Sequence, residues 1–97
     1  MKAVRFLLPA ELELMDGTTY YEAQAHGLGA SFLAALELAV KDIAARPECW
    51  PIVRAPIRRR LIRRFPYGLL YSDDPDEIVV LAVMHLRRQP DYWLHRA

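Results

Sequence analysis

Three short apolar runs dominate the second half of the chain: Arg58–Arg63, Tyr67–Ser72 and Ile78–Leu86. Phe65-Pro66 separates the first two, and Asp73-Asp74-Pro75-Asp76 separates the last two. Runs of this length, rich in Ile, Val, Leu and Tyr and bounded by Pro and Asp, predict successive β-strands. The links are far shorter than the roughly one dozen residues of a parallel crossover, so the strands form an antiparallel meander.

The first half reads differently. Lys2–Leu7 predicts a first strand, and Pro9 both closes it and opens a helix, because proline is tolerated in a first helical turn. Over Ala10–Gln24, Leu12, Met15 and Thr19 recur at helical spacing, with Leu14 and Tyr21 beside them. Glu11 and Glu13 fall near the helix start, where carboxylates oppose the dipole. Asp16-Gly17 is poor helix material and predicts a bend or fraying there.

His26-Gly27-Leu28-Gly29 breaks the pattern, with Gly27 suited to a left-handed cap. Ala30–Arg46 then carries Phe32, Leu36, Ala39, Val40 and Ile43 as one apolar stripe, with Glu37, Lys41 and Asp42 off it. Glu37 and Lys41 stand at a favourable ion-pair spacing. Pro47 ends this helix. Two helices joined by so short a loop lie antiparallel, as a hairpin. Pro47–Pro56, with three prolines and Trp50, predicts an irregular crossing to the sheet.

The expected order is strand, helix, helix, strand, strand, strand (β-α-α-β-β-β). This is a single α+β domain over residues 1–97, with a helical hairpin covering one face of a small sheet. Ile78–Met84 is apolar at every position, which suits a strand covered on both sides. The helices cover one side. The other has only Trp50, the Tyr92-Trp93 tail and whatever binds from outside, which points to a protein partner.

Charge sharpens that picture. The net charge is only +1, yet no acidic residue lies between Glu48 and Asp73, where Arg54, Arg58, Arg59, Arg60, Arg63 and Arg64 all fall. A local basic face follows, suited to nucleic acid or an acidic protein segment. On a strand, Arg58, Arg60, Ile62 and Arg64 share one face, and Ile57, Arg59, Leu61 and Arg63 the other. The run reads either as a solvated edge strand guarded by charge or as a phosphate or carboxylate clamp.

His85, near a strand end with Arg87 and Arg88 beyond it, is the candidate proton carrier, or else a structural histidine at the sheet edge. Tyr21 and Tyr71 read as core, whereas Tyr92-Trp93 is the least constrained aromatic pair and the best interface candidate. The spacing of His26, His85 and His95 matches no metal site, and no cofactor motif is present. The lone Cys49 excludes an internal disulfide, fits a reducing cytosol and reads as a half-buried neighbour of Trp50. With 54% apolar residues but no run of membrane-spanning length, the chain reads as globular and not membrane-bound.

The string Arg63–Tyr71, followed by Glu77–Pro90 and Trp93, resembles the RelE/ParE toxin superfamily. So does the earlier series Tyr20-Tyr21-Glu22, Gly27-Leu28-Gly29, Phe32, the Leu36–Ile43 helix and Pro47. The resemblance implies a small cytoplasmic toxin, encoded beside an acidic antitoxin whose C-terminal segment wraps over it in a hetero-oligomer. ParE-like members bind DNA gyrase; RelE-like members cut mRNA on the ribosome with basic sheet residues. The hairpin opened by Tyr20-Tyr21-Glu22 and Gly27-Leu28-Gly29 is more similar to ParE.

Whether the chain is an enzyme depends on its target. As a nuclease it would use His85 with Arg60, Arg64 and Arg87, yet Leu86 stands where a tyrosine would be expected after His85. Antitoxin or target contacts would fall on Arg58, Arg59, Arg60, Arg63, Arg64, Arg87, Arg88, Tyr92 and Trp93. A third reading is a member without toxicity that serves as a binding module.

Overall fold

The computed structural model describes residues 2–97. Strand β1 (Ala3–Phe6) leads into helix α1 (Leu8–Gln24), then α2 (Leu28–Ala45) and a short 3-10 turn at Pro47–Cys49. The sheet continues through β2 (Ile52–Arg54), β3 (Ile57–Leu61), β4 (Tyr67–Asp73) and β5 (Glu77–His85), and a second 3-10 turn, Leu94–Arg96, follows. The expected α+β arrangement is therefore present with one strand more than predicted. Strand β2 lies inside the segment expected to be irregular; its three residues, between Pro51 and the cis Ala55–Pro56 bond, are too few to show alternation.

The strand order is β1-β5-β4-β3-β2. Strand β1 runs parallel to β5, from Ala3 beside Glu77 to Phe6 beside Val80, while all other pairs are antiparallel. Between helices and sheet lies the larger core, built on Phe32, Leu36, Ala39, Ile43, Leu69, Tyr71, Ile78, Val80 and Val83. A smaller core on the opposite face joins Ile57, Leu70, Leu81, Ala82, Met84 and Trp93. Trp50 packs on the helix side, not on the second face.

A β-bulge in β5 decides which face its end presents. Leu70 pairs with Ala82 and Tyr71 with Val80, leaving Leu81 as the extra residue. Before it Ile78 and Val80 face the helices; after it Val83 does, and His85 pairs with Tyr67 on that side. Strict alternation from Val80 without the bulge would send His85 to the opposite face.

Helix α1 departs from expectation in two ways. It continues through Asp16-Gly17 without a break, and its stripe of Leu12, Met15 and Thr19 faces solvent. Ala10, Leu14, Gly17 and Tyr21 face inward instead. Gly17 is needed for close approach: a Cβ there would lie 2.9 Å from Cε2 of the buried Phe32 ring. Between the helices Gly27 adopts φ 86°, the left-handed conformation expected of it. Its amide and that of Gly29 donate to the Glu22 carboxylate at 3.1 and 3.0 Å, placing negative charge at the positive end of α2.

Candidate functional site

The main cleft, with a volume of about 570 Å³, opens between α1 and the end of β5. Asp16 and Tyr20 border it from α1, Tyr67 from β4, and His85 and Arg88 from the end of β5 and beyond; Glu13 forms its inner wall. The Tyr67 and His85 rings meet edge to face, with centroids 5.0 Å apart. Nδ1 of His85 accepts the Arg87 backbone N–H at 3.0 Å. That bond occupies Nδ1 and leaves Nε2 as the ring nitrogen open to other partners.

Glu13 organises the wall. Strand β1 covers β5 only as far as Val80, leaving later backbone groups of β5 without a neighbouring strand on that side. The Glu13 carboxylate accepts the Val83 N–H at 3.0 Å, and Arg96 Nη1 donates to the Leu81 carbonyl at 3.1 Å. Two side chains thus stand in for the missing strand. The same carboxylate accepts the Tyr92 hydroxyl at 2.6 Å, Arg96 at 2.9 Å and Arg88 at 3.2 Å. The Arg88 guanidinium also lies 3.7 Å from the Tyr92 ring centroid. Sequence reading placed Glu13 only as a helix-start carboxylate. Its partners lie 70 to 83 residues away, so no local spacing announces them.

The same network explains a correction. The tail was expected to be the freest aromatic element, with Trp93 available to a partner. Trp93 is instead 2% exposed, seated on Ile57, Leu70, Leu81 and Met84, and Tyr92 is held by Glu13. Burying an indole of this size against an uncovered sheet face removes a large apolar area from water. Cys49 departs from expectation in the other direction, lying exposed at the surface.

Within β3 the arginines separate by face as alternation requires. Arg63, expected on the face of Arg59, instead lies past the strand end and borders the same α2 groove as Arg64. Arg58 reaches the carbonyls of Glu48 and Trp50, at 3.2 and 2.7 Å. Arg60 pairs with Asp42 at 2.6 Å, donates to the Leu61 carbonyl and lies over the Trp50 ring. Both tie the crossing segment and α2 to the sheet. Arg64 takes φ 67° in the turn closed by the Ile62 N–H to Tyr67 carbonyl bond, which allows Phe65 to pack against Tyr21 and Phe32. With Arg63 it borders a groove along Ala34, Ala35 and Leu38 of α2. Arg59 lies on the face away from the helices, and Arg87 is exposed after β5. His85 therefore gathers Arg88 at its cleft, while Arg60 and Arg64 border other regions.

Burial raises the pKa of two anchoring tyrosines. Tyr71, whose hydroxyl donates to the Pro47 carbonyl, is pushed up to about 12, and Tyr92 is raised further, by burial and then by its bond to Glu13. Unfolded tyrosine ionises near 10, so above that pH the unfolded chain releases protons that the folded one retains. This contribution to stability is complete below about pH 10 and is lost as pH climbs toward 12. The urea midpoint should therefore fall between pH 9 and pH 11, and in Tyr92→Phe it should fall less steeply.

Comparison with known proteins fits this architecture. A family model described as ParE toxin of type II toxin-antitoxin system, parDE, matches residues 4–90. The chain belongs to the ParE toxin family. A solved structure described as the chromosomal ParDE TA system from P. aeruginosa is similar in fold, with a TM-score of 0.65 at 15% identity. That likeness covers 90% of this chain and 98% of the other. No curated protein matches the sequence. The RelE/ParE-like order of strand, helical hairpin and antiparallel strands is thus the ParE arrangement, and the predicted resemblance holds on the ParE side.

Proposed function

We propose that this ParE-family chain is the toxin of a type II pair, acts by binding DNA gyrase and is neutralised by a cognate acidic antitoxin. Family membership supports the toxin and antitoxin parts. The observation that carries the choice of target is the dispersal of the nuclease set. Arg60 is engaged by Asp42 and Trp50, Arg64 borders the α2 groove, and His85 faces the α1 cleft with Nδ1 occupied by the Arg87 amide. Cleavage of RNA by its own 2′-hydroxyl needs a base as well as an acid and cations around one phosphate. Inhibition by binding needs only a stable surface.

Purified toxin added to gyrase and supercoiled DNA should accumulate cleaved enzyme–DNA complexes, and induction should stop DNA synthesis before protein synthesis. No effect on gyrase, under conditions where a known poison works, would overturn the reading. The ribosome-dependent nuclease remains a second reading because His85 and Arg88 share the main cleft. It requires that His85→Ala abolish growth arrest and that protein synthesis stop first. Arrest persisting in that variant removes it.

A further inference from the structure

A second groove, of about 490 Å³, runs along α2 and shares no lining residue with the main cleft. One wall is a single ridge of the helix: Ser31, Ala34, Ala35 and Leu38, at positions i, i+3, i+4 and i+7. That wall is apolar. Leu38 is 49% exposed, and the Ser31 hydroxyl is turned back to the Gly27 carbonyl at 3.2 Å. Arg63 and Arg64 form the other wall.

Both arginines are exposed, and among the described residues no carboxylate pairs with either. Arg58 and Arg60, by contrast, are engaged in holding the fold, and Asp42 of α2 is already taken by Arg60 at 2.6 Å. The two free cations also rise from a fixed turn. Arg64 holds φ 67°, the Ile62 N–H donates to the Tyr67 carbonyl, and Phe65 is wedged against Tyr21 and Phe32. A backbone already in place loses little freedom when a ligand arrives.

An exposed leucine beside two unpaired guanidinium groups fits a ligand that is apolar and acidic at once. Ala34 and Ala35 are small enough to let a second helix come close, since the distance between packed helices follows the side chains at the contact. Nucleic acid fits less well. It is bound through many phosphates and stacked bases, whereas this groove offers two cations and no aromatic side chain.

We propose that the α2 groove receives an acidic amphipathic helix of a protein partner. The partner's apolar side chains rest on Ala34, Ala35 and Leu38, and its carboxylates meet Arg63 and Arg64, whose planar forks match them. The site deepens the proposed antitoxin contact by giving it a shape and a place on α2, and rests on that reading only for the partner's identity.

The ¹⁵N-labelled full chain is titrated with a blocked peptide of about 20 residues, a length that sustains a helix in water, with leucines along one stripe and glutamates flanking it. The comparisons are the same peptide with glutamine for every glutamate and a single-stranded oligonucleotide, all at constant ionic strength. Saturable shifts of the Ala34, Ala35, Leu38, Arg63 and Arg64 amides are expected with the Glu peptide, and an affinity at least about tenfold lower with the Gln peptide. Combining Arg63→Gln with Arg64→Asn, a residue tolerated at positive φ, should cost about tenfold for the Glu peptide and little for the Gln peptide. Ala34→Glu, at an exposed helical position, sets the chain's own carboxylate beside the arginines; it should weaken the Glu peptide likewise and serves if the arginine variant folds poorly. Equal affinity for the Glu and Gln peptides, tighter binding of the oligonucleotide, shifts centred on His85 and Arg88, or no saturable shift overturns the proposal. Neither gyrase nor a natural partner enters this test, so its failure leaves the proposed function standing.

Discussion

Glu13→Ala is expected to destabilise the protein by about 3–5 kcal/mol, the range for breaking a buried ion pair by removing one partner. The Glu13 and Arg96 side chains are 12% and 11% exposed, so neither charge is well compensated by water once the other is gone. The loss also strands the Val83 N–H and the Tyr92 hydroxyl. A domain of this size has a total stability of about 5–15 kcal/mol, so a substantial part of it depends on one carboxylate. The fall in Tm should exceed about 12 °C, and fluorescence should report Trp93 loosening from the second core. Glu13→Gln should lie between, because the amide oxygen can still accept from Val83 while the NH2 replaces the acceptor of Tyr92, and Arg96 is left without a counter-charge. An alanine variant as stable as the parent would mean that the tail is held by Trp93 packing alone.

Gly29→Ala is the second large effect, and its sign opposes helix propensity. In an open helix the change would stabilise by about 1 kcal/mol. Here the new methyl would stand 2.8 Å from the Thr18 carbonyl oxygen and 3.0 Å from both Cβ and Oε1 of Glu22. The first atom belongs to the α1 backbone, so relief requires the two helices to part. The Glu22 carboxylate, which receives the Gly27 and Gly29 amides, would shift with them. A net loss of about 1–3 kcal/mol is expected, read as a lower urea midpoint at unchanged slope. A midpoint equal to or above that of the parent would show that the helix contact yields without cost.

What could be read from the residues alone follows how local each cause is. The α2 stripe of Phe32, Leu36, Ala39 and Ile43 was legible because large apolar groups at helical spacing leave few ways to pack. The α1 stripe misled for the opposite reason. Gly17 and Ala10 carry little hydrophobic weight, yet their smallness permits the close packing that turns Leu12 and Met15 outward. Arg58, Arg59 and Arg60 sorted onto two faces as strict alternation demands. The strand end at Leu61, which leaves Arg63 beside Arg64, and the bulge at Leu81 show where alternation ceases to be a guide. The roles of Glu13, Arg96 and Trp93 depend on neighbours from opposite ends of the chain. So does the pairing of His85 with Arg88 at one cleft: their nearness in sequence was visible, but the wall of α1 facing them was not.

The incomplete cover on β5 has a consequence for solubility. Val79–Met84 is a continuous β-branched and aliphatic segment, of the kind that self-associates when its edge is bare. Strand β1 guards one end of that edge by a pairing between residues more than seventy positions apart, and Glu13 with Arg96 guards the other. Contacts of such long separation require large loops to close before they contribute, which slows their assembly. While the chain is newly made or thermally loosened, its most aggregation-prone strand is therefore the one protected by its most distant contacts.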